Sequence, residues 1–233
     1  MPCDGTGWPD ASRSRMPLAY MSVGFPYAVP AVRPKPTLQT RKAQRTQQQG
    51  SRRAGGGVLD GGALAAAFAG CQGVFHAATP VPGDKMDDPE KEMMAPTVKG
   101  TRNVLEVFSA TNVQKLVVVS SVAAACFDPN WPEDRLKDES CWSDKEICKE
   151  IKSWYCLAKT KAEEMALEYG KRNGLHVVTV LPSLVVGPLL QTALINTSIR
   201  VFQYIITGGP DTMNNKFWPF VHVHNVDDAL LLA

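Results

Sequence analysis

The chain has 233 residues, 44% of them hydrophobic and 21% charged, which is enough apolar material for one sizeable core. No window approaches the ~18 uninterrupted apolar residues of a membrane-spanning helix, and the opening Met-Pro-Cys-Asp-Gly lacks the apolar core of a secretory signal. The expectation is a soluble, cytoplasmic protein without membrane contact. The formal net charge of +2 is unevenly spread: residues 1–59 hold nine Lys or Arg against Asp4 and Asp10 (net +7), and the remainder hold sixteen against twenty-one acidic residues (net −5). The run of basic residues from Arg33 to Arg53 has no interleaved aromatic residues and no recognisable nucleic-acid fold, so no nucleic-acid partner is expected.

From Met1 to about Gly57 the chain is rich in Pro, Gly, Gln, Arg and Ser, contains no Glu, and has neither strand-like nor helix-like apolar periodicity. Residues 1–57 are read as an unpacked or non-homologous leader, and 58–233 as the folded domain. The Arg-rich, Glu-free composition also fits a plastid transit peptide, which is the alternative to a cytoplasmic location. Six cysteines occur without a C-x-x-C pair, which suggests neither a zinc ribbon nor a disulfide framework.

Regular patterning begins after Asp60. Ala63 to Phe68 suits a short helix, and Gly73 to Ala78 a buried strand closed by Thr79-Pro80-Val81-Pro82. Asp88-Pro89 opens a helical segment to about Thr111, with Met93, Val98, Val104, Leu105 and Phe108 on one apolar face. Lys115 to Ser121 reads as a fully buried parallel strand. A polar loop follows, then a helix over about Lys152 to Arg172 stopped by Asn173-Gly174. Leu175 to Leu181 is the next strand, Pro182 to Pro188 a loop, Thr192 to Ile206 a helix, and Phe220 to His224 a last strand. This alternation predicts an α/β fold with a Rossmann-type, doubly wound parallel sheet.

Tyr155 and Lys159 lie four apart on a predicted helix and therefore share a face. Ser121 ends a buried strand at its carboxyl edge, where such sheets bind ligands. A tyrosine with a pKa of about 10 is a poor acid-base group at neutral pH, and the Lys159 ammonium is expected to favour the phenolate and narrow that gap.

These residues match the Ser and YxxxK of the extended short-chain dehydrogenase/reductases, which the chain resembles. Six segments look like the plant cinnamoyl-CoA reductase and dihydroflavonol reductase branch, in the same order: Gly73 to Pro80, Lys99 to Leu105, Val117 to Ser121, Glu139 to Asp144, Trp154-Tyr-Cys156 and Pro182 to Pro188. The Trp-Tyr-Cys triplet is more similar to cinnamoyl-CoA reductases, with Ser153 where an Asn usually precedes it. The resemblance implies an NADPH-dependent oxidoreductase acting on a small aromatic carbonyl or CoA-thioester substrate in phenylpropanoid-type metabolism. It makes Tyr155 the proton donor, Ser121 a hydrogen-bond partner of the carbonyl oxygen and Lys159 a ligand of the nicotinamide ribose. It also puts Ala77 and Ala78 beside the ribose and phosphates, and Pro182, Ser183 and Leu184 against the nicotinamide. Tyr27 to Arg33 resembles the second strand of the family, whose closing arginine grips the NADP 2′-phosphate, so Arg33 joins the candidate cofactor residues.

Three further features follow from the comparison. A cysteine pair with the spacing of Cys148 and Cys156 occurs in cinnamoyl-CoA reductases beside the catalytic tyrosine. On one continuous helix eight residues span ~12 Å, beyond disulfide reach, so a bridge would require Cys148 to precede the helix. His222-Val-His224 would put two imidazoles on one face of a strand, but no ligand cluster accompanies them and no metal site is expected; an Arg is common in the family where His224 stands. Finally, the TGxxGxxG of the family's first turn is absent, and Ala233 falls before the expected substrate-covering lobe, so the resemblance is to a member truncated at both ends. Three readings are carried forward: a cinnamoyl-CoA reductase-like enzyme, a dihydroflavonol or other ketone reductase, and a catalytically silent fragment that no longer binds cofactor. No oligomeric state is favoured.

Overall fold

The computed structural model describes residues 57–80, 86–132, 134–188, 197–208 and 219–233, and the backbone of two short strands at 18–21 and 52–53. A five-stranded parallel sheet is built from β1 (Leu18–Met21), β2 (Arg52–Arg53), β3 (Gly73–His76), β4 (Lys115–Val119) and β5 (Val177–Val180), in the order β2-β1-β3-β4-β5. The chain leaves β1 in one direction for β2 and returns across it to β3, which is the doubly wound order. Two segments of the expected leader thus enter the sheet. Leu18–Met21 pairs in register with Gly73–His76, and Ala19 and Tyr20 pair with Arg52 and Arg53. Backbone pairing needs no apolar periodicity in the strand that supplies it, which is why the sequence pattern did not reveal these two. The strand expected around Tyr27 to Arg33 lies outside the described residues.

Helices α1 (Gly61–Phe68) and α2 (Glu90–Ser109) connect to and flank β3, and α3 (Lys145–Glu150) and α4 (Trp154–Asn173) lie between β4 and β5 in the chain. The Asp60 carboxylate caps α1 by accepting the Ala63 N–H at 3.0 Å. At the start of α2, Glu92 reaches back to the amides of Asp87 and Asp88 while Asp88 accepts from Lys91, a capping box. The first turn of α2 is a π-turn, Glu90–Met94, in which the Ala95 N–H bonds Glu90 five residues back; this carries the helix past Pro96, which has no N–H to give.

One core layer unites Leu64 and Phe68 of α1, Val104, Leu105 and Phe108 of α2, Ala166 of α4, and Val74, Leu116 and Val118 of the sheet. Phe75 and Val117, on the opposite sheet face, are buried as well. Burial on both faces explains the uninterrupted apolar run of β4. A second cluster, Met93, Met94, Cys148, Leu157 and Ala158, joins α2, α3 and α4 beneath Tyr155.

Three boundaries differ from the sequence expectation. The helix expected over about Lys152 to Arg172 is α4, and a second, short helix, α3, precedes it inside the expected polar loop. The Asp144 carboxylate starts α3 by accepting from Glu146 and Ile147 at 2.8 and 2.9 Å, and Lys152, with φ +55°, turns the chain so that Ser153 donates back to the Cys148 carbonyl at 2.8 Å. The Pro182 to Pro188 loop contains β6 (Leu184–Val186), parallel to β7 (Phe220–His222) in a separate two-stranded sheet. The last strand stops at His222, whose Nδ1 accepts the His224 N–H at 3.3 Å and so caps α6 (Val223–Leu232). Helix α5 is described over Thr197–Ile206. Gly174, with φ +63°, ends α4 as expected, in the left-handed cap position that glycine occupies without steric cost.

Candidate active site

The carboxyl end of β4 and the first three turns of α4 face one another. Val119, Ser120 and Ser121 are consecutive at the strand end and face the stripe Tyr155, Lys159 and Glu163, spaced four apart on α4. Lys159 Nζ donates to the Val119 carbonyl at 2.9 Å. Ser120 Oγ donates to Glu163 Oε2 at 2.6 Å. Ser121 stands beside Tyr155, close enough for its side chain to act on the phenol's pKa. Ser121 reaches this position because it caps the 3₁₀ turn Val122–Ala124, its Oγ accepting the Ala123 N–H at 3.2 Å.

Lys159 is 5% exposed, and its second hydrogen bond runs to Thr79 Oγ1 at 2.9 Å, from the loop after β3. Burial pulls its pKa down to about 8, and the Glu163 carboxylate acts against that fall. Tyr155 is half-buried. Burial raises its pKa, the Ser121 side chain opposes the rise, and Cys156 adds to it. The expected lowering by Lys159 is therefore not what the structure brings: the ammonium is committed to Thr79 and Val119, and desolvation decides the direction. The phenol keeps its proton at neutral pH.

His76, at the end of β3, is 2% exposed, with Nε2 3.0 Å from Thr101 Oγ1. Burial, with the Lys159 charge as second cause, holds its pKa down at about 3, so the ring is neutral. Its Nδ1 has no hydrogen-bond partner among the described residues.

The remaining predicted positions divide. Ala78 is buried in the main core, while Ala77 beside it is half-buried. Pro182 is drawn to the same sheet edge as Ser121, because its carbonyl accepts the Val122 N–H at 3.1 Å; Ser183 and Leu184 follow it, half-buried, and Leu184 opens β6. Arg33 lies outside the described residues. His222 and His224 stack with ring centroids 4.9 Å apart, both exposed, and among the described residues no group of three potential ligands forms around a metal position. Cys148 is buried in α3, and burial followed by the neighbouring Cys156, Asp144 and Cys126 pushes its thiol up to about 11. Thr79, Ser120 and Glu163 were not singled out from sequence. Glu163 carried a readable signal, since it continues the four-residue spacing of Tyr155 and Lys159.

A doubly wound parallel sheet whose strand end meets a Tyr-x-x-x-Lys helix defines the short-chain dehydrogenase/reductase class. The chain belongs to the NAD dependent epimerase/dehydratase family, whose model matches residues 24–233. It is 41% identical over 175 residues to cinnamoyl-CoA reductase 1 of Petunia hybrida, a match covering 75% of this chain and 51% of that protein. The chain thus spans about half the length of the curated relatives it matches. Among solved structures, vestitone reductase from alfalfa superimposes with a TM-score of 0.68 at 24% identity, over 92% of this chain and 71% of that one. The yeast methylglyoxal/isovaleraldehyde reductase Gre2, complexed with NADPH, gives 0.68 at 20% identity over 93% and 73%. These two likenesses concern the fold.

Proposed function

We propose that this protein is an NADPH-dependent reductase of an aromatic CoA thioester of the cinnamoyl-CoA type. The observation that carries the reading is Lys159, held by Thr79 and the Val119 carbonyl one helical turn from Tyr155, with Ser121 beside the phenol at the end of β4. The 41% identity to a cinnamoyl-CoA reductase supports the substrate class.

The donor set suits the nicotinamide end of the cofactor. An ammonium has three N–H groups, and Lys159 uses two of them within the protein, leaving one for a ribose hydroxyl. Ala77, Pro182 and Ser183 are the candidate lining, and Arg33 the candidate partner of a 2′-phosphate. When bound, NADPH supplies the hydride to the carbonyl carbon.

The chain's own groups handle the proton. Tyr155 Oη, held protonated by burial, donates to the carbonyl oxygen as negative charge develops there. Ser121 Oγ, beside the phenol, orients that oxygen. The positive charge of Lys159 favours the phenolate that remains. A thioester, NADPH and one proton give an aldehyde, free CoA thiol and NADP⁺.

Quenching of protein fluorescence on titration with NADPH tests the cofactor, followed by turnover of feruloyl-CoA against dihydroquercetin. Saturable binding with feruloyl-CoA turnover is the expected result. Turnover of dihydroquercetin alone would move the substrate to the ketones, and absence of saturable binding at millimolar NADPH would overturn the enzyme reading.

A further inference from the structure

Among the described residues, only two buried side chains ordinarily carry a full charge at neutral pH, Lys159 and Glu163, and they lie one turn apart on the same face of α4. Burying an ion is costly unless it is compensated. Glu163 is 4% exposed, and both of its carboxylate oxygens are held: Oε2 by Ser120 at 2.6 Å from the end of β4, Oε1 by Thr179 at 2.9 Å from β5. Burial raises the Glu163 pKa, and the two hydroxyl donors, together with the Lys159 charge, act against that rise by favouring the carboxylate, whose position the hydroxyls fix. A purely structural tie between α4 and the two strands would need no charge, because a neutral amide could bridge the same hydroxyls without the ionic desolvation cost.

We propose that Glu163 is a positioning residue of the site: clasped by Ser120 and Thr179, it supplies the fixed buried negative charge that keeps Lys159 an ammonium ion beneath the Tyr155 phenol. Among the described residues, the groups facing Lys159 leave this role to Glu163. From β3 comes His76, which is neutral. From the loop after β3 comes the Thr79 hydroxyl, and from β4 the Val119 carbonyl. Tyr155, one turn away on α4, is protonated. The carboxylate does not compete for the ammonium's hydrogen bonds, which run to Thr79 and Val119, so it acts through the field and leaves the remaining N–H free.

The inference rests on the reductase reading only for the use to which the ammonium is put, and its test reads Lys159 directly. Protein labelled with [¹³C]lysine is titrated from about pH 6 to 11, and the Lys159 side-chain signal is assigned by its loss in Lys159→Arg. In the parent protein the midpoint is expected at about 8. Glu163→Gln should lower it by about one pH unit. Glu164→Gln, which removes only the exposed partner of Lys145, should leave it in place. Ser120→Ala combined with Thr179→Val keeps the carboxylate but strips its donors, and should lower the midpoint in the same direction. An unchanged or raised Lys159 midpoint in either folded variant overturns the proposal, whether or not the protein reduces any substrate.

Discussion

Replacing Gly100 with alanine sets two effects against each other. Alanine is favoured over glycine in a helix interior by about 1 kcal/mol. Against this, a β-carbon at Gly100 would stand 2.4 Å from Val58 Cγ2 and 3.2 Å from Val58 Cβ. Val58 has little room to retreat: it is 2% exposed, and its carbonyl accepts the Asn103 side-chain amide at 3.0 Å. Overpacking costs ~1–3 kcal/mol, and a carbon pair this close belongs at the upper end, so a net loss of about 2 kcal/mol is expected. In a Val58→Ala background the offending methyl is gone and the 3.2 Å contact needs a shift of only a few tenths of an ångström. There the same substitution should be neutral or stabilising by up to ~1 kcal/mol. Urea unfolding of the parent, both single variants and the double variant reads the cycle, with a coupling of about 2 kcal/mol or more. A Gly100→Ala that is harmless in the parent, or equally damaging in both backgrounds, refutes the close seating of Val58 on α2.

Tyr155→Phe should reduce kcat by roughly 10²- to 10⁴-fold, the usual worth of a placed proton donor, while NADPH binding measured by fluorescence stays within a factor of about two. His76 gives a pH signature. Its folded pKa of about 3 lies below the ordinary 6.5, so between these values the unfolded chain binds more protons and stability falls as pH falls. This amounts to about 2 kcal/mol between pH 7.5 and 5, and His76→Leu should flatten the dependence of stability on pH by that amount, whatever it does to stability at neutral pH. Cys148, buried and with its thiol pushed up to about 11, should resist iodoacetamide at pH 8 in the native protein, whereas exposed Cys126 is alkylated. Rapid labelling of Cys148 would place it in a more open setting, and an activity that responds to oxidation in the parent but not in Cys148→Ser would tie it to redox control.

What could be read from sequence followed strong, local signals. The apolar run of Lys115 to Val119 and the Gly174 stop announce β4 and the end of α4 because burial on both faces and left-handed backbone each restrict composition tightly. Strands β1 and β2 escaped because their contribution is backbone pairing, four residues and two residues long, inside a stretch whose side chains carry no period. Helix α3 escaped for a different reason: it is six residues long and lies in a charged stretch that reads as loop, and the Lys152 turn that ends it adopts a conformation normally signalled by glycine or asparagine. At the site, the Tyr155 and Lys159 spacing was legible, but the direction of the Tyr155 shift was not. Spacing brings an ammonium near a phenol; only packing decides that the ammonium's hydrogen bonds go to Thr79 and Val119 while the phenol is desolvated.

That distribution of contacts bears on how the site holds its geometry. Val119 and Ser120 at the end of β4 hold Lys159 and Glu163 on successive turns of α4, and Leu157 and Ala158, interleaved with Tyr155 and Lys159, pack into the cluster shared with α2 and α3. A shift of α4 along β4 would break both attachments together, so Tyr155, the ammonium and its counter-charge move as one rigid unit or not at all. The residues grouped for proton handling all lie within the β3, β4, β5 and α4 framework. Substitutions in that framework should therefore appear in the proton-transfer step and in the Lys159 titration, which turnover and the lysine titration read separately on the same variants.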